Sequence, residues 1–275
     1  MTSALIEAAA LSALAGKVKI IDATYADHGR QGWEQARIGN AVFFDIDEIA
    51  DPQSDMPHML PSPEQFAEAV SRLGISNDDD IVIYDQSGMA SAACRAWWMF
   101  RVFGHDRVRV LDGGLPCWKA QSLPLNTAPP QPPPAGRFKS RFHPELVRNM
   151  SDVKKAIDKK DSLIIDARAA QRFAGIAPEQ RPGLRSGHIP GSINTPYAAL
   201  INPATGRMWD TELLKEIFGP IPADTHIIAS CGSGVTACVL ALGLYNLGRT
   251  DVAVYDGSWT EWGRESSATP VAMLA

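Results

Sequence analysis

The residue best placed for chemistry is Cys231, in the stretch IIASCGSGVTAC at residues 227–238. An apolar run ends at this cysteine, a loop with two glycines follows, and a helix is expected to begin near Val235. Glycine lets the loop curl until its backbone N–H groups converge, and the helix adds the positive end of its dipole. Both effects favour an anionic sulfur on Cys231, as a thiolate or as a persulfide. The amides of this predicted cradle belong to Gly232, Ser233, Gly234, Val235 and Thr236.

The same loop is open to other interpretations. As GSGVTA (232–237) it matches the G-x-G-x-x-A pattern of dinucleotide-binding folds. Only 19 residues follow Asp256, however, too few for the further strands that such a fold requires. A cysteine phosphatase would carry an arginine six residues after the cysteine to clamp a phosphate bidentately, and position 237 is alanine. Cys231 could also be a buried structural cysteine, a common state of the free thiol.

The remaining cysteines have different expected surroundings. Cys238 lies two helical turns into an apolar run and is expected to pack in the core. Cys94 is its counterpart in the first half of the chain. Cys117, expected in a turn, is a candidate for regulatory oxidation.

Composition narrows the classes of partner and cofactor. The net charge of −5 and the absence of a Lys/Arg run argue against a nucleic-acid partner, and the apolar stretches are too short to cross a membrane. The four cysteines have neither C-x-x-C nor zinc spacing and are too few for a disulfide framework. We therefore expect a cytoplasmic protein with no metal and no other cofactor. The apolar N-terminus contains Glu7 and lacks the basic start of a secretion signal, so it is interpreted as a first helix.

The sequence contains an internal repeat, in which matching residues of the two halves are 144 positions apart. Between the copies, residues 129–134 contain five prolines, which favour a stiff extended connection. The sequence therefore predicts an N-terminal domain at 1–125, a linker at 126–137 and a C-terminal domain at 138–275. The matching features are Asp22 and Asp166, Cys94 and Cys238, Gly104 and Gly248, and the segments VRVLDGGLPCW (108–118) and VAVYDGSWTEW (252–262).

Each half alternates short apolar strands with helical patterns. A helix is expected at 62–74, where Ser62 and Gln65 resemble a capping box. Such alternation predicts an α/β fold in which each half is a mostly parallel sheet with helices on both faces. Function in these sheets lies at the carboxyl ends of strands, which is where Cys231 stands. The expected strands are 17–24, 79–85 and 108–112 in the first half, and 161–168, 225–231 and 252–256 in the second.

Several segments together carry a resemblance to a known family. They are AVFFDID (41–47), HMLP (58–61), RAWWMFRVFGH (95–105), LDGG (111–114), SGHIPGSIN (186–194), CGSGVTAC (231–238) and YDGSWTEWG (255–263). The chain resembles the rhodanese-type sulfurtransferases, and in particular the two-domain 3-mercaptopyruvate sulfurtransferases. This resemblance implies two tandem rhodanese-like domains, with the catalytic cysteine in the C-terminal one. The corresponding segment DQSGMASAA (85–93) has no cysteine, so the N-terminal copy is expected to be catalytically silent.

The resemblance also implies a reaction. Cys231 would take sulfur from 3-mercaptopyruvate, hold it as a persulfide while pyruvate leaves, and pass it to a small thiol, a reduced thioredoxin-like protein or cyanide. Arg172 and Arg181 match the two arginines that bind the substrate carboxylate, a task that suits guanidinium forks. Gly232 and Ser233 stand where members that use thiosulfate carry basic residues. The alternatives are a thiosulfate sulfurtransferase, disfavoured by this neutral loop, and a non-catalytic binding module, disfavoured by retention of the loop and both arginines.

Ser233 is a second expected catalytic residue, because it matches the serine of a serine–histidine–aspartate relay proposed for some members. The histidine segment of that relay corresponds to RIGNA (37–41), so Arg37 replaces the histidine. A guanidinium cannot shuttle protons near neutral pH. His188, in GHIPG, is expected to have a structural role beneath the loop.

Overall fold

The computed structural model describes residues 3–14, 16–25, 27–88 and 91–274. The chain divides into two compact units. The first unit comprises Met1–Gln53, Leu60–His143 and Ile201–Met208, and the second comprises Ser54–Met59, Pro144–Leu200 and Trp209–Ala275. Each half of the repeat thus contributes one short segment to the unit that the other half mainly forms. The functional domains at 1–125 and 138–275 stay a prediction.

The first unit contains a five-stranded sheet whose pairings, within the described residues, are all parallel. The sheet order is β1-β5-β4-β2-β3, which places β4 at the centre. Its strands are β1 (Leu5–Ile6), β2 (Lys19–Asp22), β3 (Val42–Phe43), β4 (Ile81–Tyr84) and β5 (Val108–Leu111). Its helices are α1 (Ala8–Ala13), α2 (Asp27–Gln35), α3 (Pro63–Arg72), α4 (Ser91–Val102) and α5 (Gly114–Ala120).

The second unit repeats this arrangement with another parallel sheet, in the order β6-β10-β9-β7-β8. The two sheets have the same permutation of strands, which confirms the predicted repeat and the predicted α/β class. The strands are β6 (Val147–Arg148), β7 (Ser162–Asp166), β8 (Ile193–Asn194), β9 (His226–Ser230) and β10 (Ala253–Tyr255). The helices are α6 (Met150–Lys159), α7 (Ala170–Phe173), α8 (Thr211–Phe218), α9 (Ala237–Asn246) and α10 (Ser258–Trp262), with short 3-10 helices at Pro144–Leu146 and Tyr197–Leu200.

The central strands are buried on both sides. Every residue of β4 is buried, as is β9 from Ile227 to Ser230. Because successive side chains of a strand point to opposite faces, these strands must be covered on both faces. The helices α4 and α9, which follow them, are buried along most of their length, as expected for helices of a core. In the described part of the chain, none of the helices has the length and apolar character needed to cross a membrane.

Helix α3 begins as its sequence predicts, and two other segments of the first unit differ from prediction. Ser62 and Gln65 close the expected capping box of α3. The N-terminal segment forms β1 before α1, because the backbone of Leu5–Ile6 pairs with β5. Cys117, expected in a turn, lies in α5.

The proline-rich connection lies along the first unit. The N–H group of Gly136 donates to the carbonyl of Ser71 at 2.8 Å, and Asn126 forms an antiparallel bridge with Arg37. A methyl group added at Gly74 would meet Pro133 at 2.9 Å, so the contact between them is close. Backbone hydrogen bonds and close packing therefore hold the proline-rich segment against a folded surface.

Candidate active site

Cys231 lies at the point where the strand order of the second sheet reverses. It follows β9, which has β10 on one side and β7 on the other. The chain runs outward from β7 to β8 and then returns through β9 to β10, so the switch point lies between β7 and β9. Ligands of open parallel sheets bind outside the carboxyl ends of the strands at such a point. The residue is 1% exposed, so its thiol is enclosed by the surrounding loops.

The segment that follows β10 anchors the start of the cysteine loop. The N–H of Trp259 donates to the carbonyl of Cys231 at 3.0 Å, and that of Thr260 donates to the carbonyl of Gly232 at 2.8 Å. The hydroxyl of Thr260 donates to the same Gly232 oxygen. Ser258 completes the contact by accepting the N–H of Cys231 on its Oγ at 3.1 Å. The first two residues of the loop are therefore held by backbone and side-chain bonds from α10.

The loop leaves most of its amides available. Within the described residues, the backbone N–H groups of Gly232, Ser233, Val235 and Thr236 donate to no protein acceptor. Gly234 has a φ of 74°, in the left-handed region that glycine adopts without a steric cost. These observations support the predicted cradle of residues 232–236, which stays a proposal.

The helix after the loop starts two residues later than predicted. α9 begins at Ala237, and Thr236 is its N-cap. The intervening turn is tighter than an α-helix, because Cys238 N donates to the carbonyl of Val235 and Val239 N to that of Thr236, each at 3.1 Å. Cys238 is fully buried, as expected, and its Sγ contacts the carbonyl of Gly234 at 3.2 Å.

Arg172, carried by α7, reaches the cysteine loop. Its Nη2 lies 3.5 Å from the place that a methyl group on Gly232 would occupy. The same nitrogen donates to Oε2 of Glu179, whose side chain is 1% exposed. Arg172 Nε is buried and, within the described residues, has no hydrogen-bond partner. The guanidinium is therefore held by Glu179, and its buried Nε is a donor that no group in the described part of the chain uses.

A buried ion-pair network supports Glu179. Arg168 Nη1 donates to Glu179 Oε1 at 2.7 Å, while its Nε and Nη2 bind both carboxylate oxygens of Asp166 at 2.7–3.1 Å. Its guanidinium also lies 4.3 Å from the ring centre of Trp259. Burial acts to lower the pKa of Arg168, but the carboxylates of Asp166 and Glu179 outweigh it and raise that pKa. Arg168 thus stays charged, and through Asp166 and Trp259 it links the end of β7 to α10.

Arg181 lines an open cavity of about 780 Å³ in the second unit. Thr260, which holds the Gly232 carbonyl, belongs to the same wall. Arg264 closes one side of the cavity by donating to Oδ2 of Asp55 at 2.8 Å and to the carbonyl of Thr260 at 3.0 Å. The cavity wall thus meets the cysteine loop at Thr260.

A family model described as Rhodanese-like domain matches the chain twice, at residues 7–121 and 149–265. The chain belongs to this family. Thiosulfate/3-mercaptopyruvate sulfurtransferase 2 of Arabidopsis thaliana is 46% identical over 271 residues, which cover 89% of this chain and 79% of the relative. The 3-mercaptopyruvate sulfurtransferase of Escherichia coli strain K12 is 43% identical over 255 residues, covering 90% and 89%. The crystal structure of SseA from Escherichia coli has a TM-score of 0.83 and 40% identity, and the match covers 94% of this chain and 99% of that one.

The first rhodanese-like copy has a carboxylate where the second has its thiol. Tyr84 pairs with Asp22 in the first sheet and Ser230 pairs with Asp166 in the second, so the next residues, Asp85 and Cys231, occupy equivalent positions. Oδ1 of Asp85 accepts hydrogen bonds from Ser87 N at 3.1 Å, Ser87 Oγ at 2.7 Å and Gly88 N at 3.0 Å. Burial raises the pKa of Asp85. The equivalent loop of the first copy thus binds its own side chain.

The structure also shows the surroundings of the other residues considered for the site. Ser233 is half-buried within the loop. His188 binds the carbonyl of Phe173 through Nδ1 at 2.8 Å and stacks on the Phe173 ring at 3.9 Å, so it supports α7. Arg37 is 4% exposed and donates to the carbonyl of Ala128 at 2.9 Å in the first rhodanese-like unit. These contacts give His188 and Arg37 structural partners.

Sequence reasoning missed the residues that hold the loop and Arg172 in place. They are Arg168, Glu179, Ser258 and Thr260. A signal existed for Arg168, since it stands two residues after Asp166, the last residue of β7, at the carboxyl end of the strand. Glu179 offered little signal, because a glutamate in an irregular segment of a rhodanese-like chain is usually solvated.

Proposed function

We propose that this chain is a 3-mercaptopyruvate sulfurtransferase in which Cys231 is the nucleophile. The observation that carries the proposal is the setting of Cys231 at a sheet switch point, in a loop with available amides and with Arg172 beside Gly232. Relatives of 43–46% identity bear the names of sulfurtransferases for 3-mercaptopyruvate, or for thiosulfate and 3-mercaptopyruvate. The site chemistry and the relatives point to the same reaction.

The reaction takes two steps. The Cys231 thiolate attacks the sulfur of 3-mercaptopyruvate, an S–S bond forms, and the C–S bond breaks with its electron pair going to carbon. Pyruvate leaves as its enolate and takes up a proton, while Cys231 keeps a persulfide. An acceptor thiolate or cyanide then attacks the outer sulfur and releases the Cys231 thiolate. In this scheme, the amides of residues 232–236 stabilise the anionic sulfur of Cys231 both as the thiolate and as the persulfide.

Two arginines hold the donor. The guanidinium groups of Arg172, whose side chain is 21% exposed, and of Arg181 would bind the carboxylate and keto oxygens, because planar guanidinium groups pair with such oxygens in a fixed geometry. Arg181 lines the cavity beside Thr260, which supports entry of the donor from that side. The neutral Gly232-Ser233 pair fits a donor that carries its charge away from its sulfur.

Proton transfer does not pass through Arg37. Guanidinium groups do not shuttle protons near neutral pH, and that of Arg37 already binds the carbonyl of Ala128. Ser233, a loop residue, is the proposed second catalytic group, with water as the proton source for the pyruvate enolate. The proposed acceptors are small thiols, a thioredoxin-like protein or cyanide.

A thiosulfate sulfurtransferase is the second candidate function. The relative of 46% identity is named for both thiosulfate and 3-mercaptopyruvate, which favours some use of both donors. The cysteine loop carries no basic residue to meet the dianionic thiosulfate, so we propose it as the poorer donor. The proposed compartment is the cytoplasm, and four free cysteines are consistent with its reducing conditions.

A paired assay tests the proposal. Pyruvate and sulfide are measured with 3-mercaptopyruvate and a thiol, and thiocyanate is measured with thiosulfate and cyanide. Cys231→Ser should abolish turnover and the mass gain of one sulfur atom on the protein, with the fold kept. Cys94→Ser is the matched control, because Cys94 is a fully buried cysteine of α4 in the first unit, and this variant should keep activity. Substantial turnover by Cys231→Ser would rule out the mechanism, and turnover with thiosulfate alone would favour the second candidate.

A further inference from the structure

Ser258 has an unusual backbone for its residue type. Its φ is 47°, in the left-handed region, where a side chain with a Cβ is strained and glycine is not. The residue is completely buried at the start of α10. A non-glycine residue in this region is retained when the surrounding structure enforces it, and such residues cluster at functional sites.

The internal repeat supplies a direct comparison for this position. Gly114 is the counterpart of Ser258 at the offset of 144, and its φ is 56°. The next residues make equivalent bonds, from Leu115 N to the Asp85 carbonyl at 2.9 Å and from Trp259 N to the Cys231 carbonyl at 3.0 Å. Both copies thus require a left-handed residue here. The silent copy meets this requirement with glycine, and the copy that contains the cysteine has a serine.

The serine hydroxyl has a specific task in the second copy. Its Oγ accepts the backbone N–H of Cys231 at 3.1 Å and donates to the carbonyl of Tyr255 at 2.7 Å. It therefore joins the end of β10 to the first residue after β9. In the first copy, glycine leaves the N–H of Asp85 without this side-chain acceptor.

We propose that Ser258 is a positioning residue for Cys231. Its hydroxyl fixes the amide of the nucleophile and so sets the direction of the Cα–Cβ bond that carries the thiol. The left-handed backbone of Ser258 makes the hydrogen bond to the Cys231 amide possible, because it turns the serine side chain back toward the end of β9. The inference rests on the proposed role of Cys231 as the nucleophile.

Two substitutions separate positioning from a merely structural role. Ser258→Gly and Ser258→Ala both remove the hydroxyl, but Ser258→Gly also relieves the strain. We expect Ser258→Gly to melt at a higher temperature than Ser258→Ala. Both should nevertheless lose reactivity to the same extent, roughly tenfold or more, since small errors in the placement of a reacting group are costly. Ser192→Ala is the control, because its hydroxyl donates to the Ile189 carbonyl elsewhere in the second unit.

Reactivity is measured in two ways on the full chain. Pyruvate release in a single turnover reports the first sulfur transfer, and the pH profile of Cys231 alkylation by iodoacetamide reports the thiol without a sulfur donor. Equal losses in the two variants at unequal melting temperatures support the proposal. Wild-type rates, or rates that follow the melting temperatures, overturn it. Sulfur transfer that survives Cys231→Ser would defeat the proposed function, whereas altered alkylation in both Ser258 variants would still stand as a positioning effect.

Discussion

Glu179 binds the guanidinium of Arg172 with a side chain that is 1% exposed. The same carboxylate binds Arg168, so it is held from two directions. A surface arginine moves freely among many rotamers, and ordering it on a ligand costs conformational entropy. Because Glu179 has already restricted Arg172, the geometry beside Gly232 is set before any substrate arrives.

Substituting Glu179 should damage the use of one donor selectively. Glu179→Gln keeps the shape but replaces one acceptor oxygen by an amide that faces a guanidinium. We expect the KM for 3-mercaptopyruvate to rise about tenfold, since hydrogen bonds to charged groups contribute roughly 1.5–3 kcal/mol. The kcat with thiosulfate should change little. Steady-state kinetics with both donors check this, with Glu212→Gln, on the exposed face of α8, as the control. Equal losses with both donors would assign Glu179 to general stability.

The two arginines proposed to bind the substrate should be sensitive even to replacement by lysine. Arg172→Lys and Arg181→Lys keep the charge but lose the planar fork that pairs with two oxygens at once. We expect kcat/KM for 3-mercaptopyruvate to fall by about 10-fold to 100-fold in each variant. Arg249→Lys, which changes an arginine bound to the Pro222 and Thr225 carbonyls, should retain activity. Unchanged kinetics in either of the first two variants would remove that arginine from the substrate site.

Arg168 should matter for stability more than any other charged residue of the network. Arg168→Met leaves the carboxylates of Asp166 and Glu179 buried without their shared partner. Breaking a buried pair in this way costs about 3–5 kcal/mol of unfolding free energy. Urea unfolding at neutral pH measures the change. Arg72→Met, which removes an exposed pair with Glu68 on α3, should cost under about 1 kcal/mol. A similar small change in Arg168→Met would contradict the structural role of the network.

Cys117 should resist oxidation and alkylation near neutral pH. Burial and the neighbouring Asp112 carboxylate raise the pKa of its thiol, and Arg207 offsets them only in part. Since the thiolate is the reactive form, its reaction with iodoacetamide should increase only at pH values above the range of an ordinary thiol. Mass spectrometry of Cys231→Ser protein across pH follows the modification at Cys117. The reference is Cys117 in protein unfolded with urea. Equal alkylation rates in the native and the unfolded protein would contradict the raised pKa of this thiol.

The fold could be predicted from the sequence to a large extent. The strands around 19–22, 81–84, 162–166 and 226–230 are buried on both faces and so appear as short, nearly continuous apolar runs. The two-residue strand β1 could not be predicted, because its pairing with β5 depends on a partner about a hundred residues away. The start of α9 was misplaced by two residues, since its first turn is closed by i→i+3 bonds that leave no signal in the residue types.

The candidate site could be proposed from the sequence where residue type suggests the chemistry, but the residues that support it through contacts could not. A cysteine in a glycine loop after a strand indicates its own function, and the structure places Arg172 beside that loop. Glu179 and Ser258 act through partners distant in sequence, so a single sequence offers no spacing by which to find them. For Ser258, the repeat did contain a clue, because a serine opposite Gly114 stands where the backbone favours glycine.

The exchange of short segments between the two halves constrains how this protein can be divided. Ser54–Met59 belongs to the unit that contains Cys231, and it supplies Ser54, Asp55, Met56 and Pro57 to the wall of the cavity with Arg181. A fragment cut at the prolines would retain Cys231, Arg172 and Arg181 but lose that part of the wall. Each half thus lends a short segment to the unit that the other half mainly forms, so a cut at the prolines would leave neither unit whole.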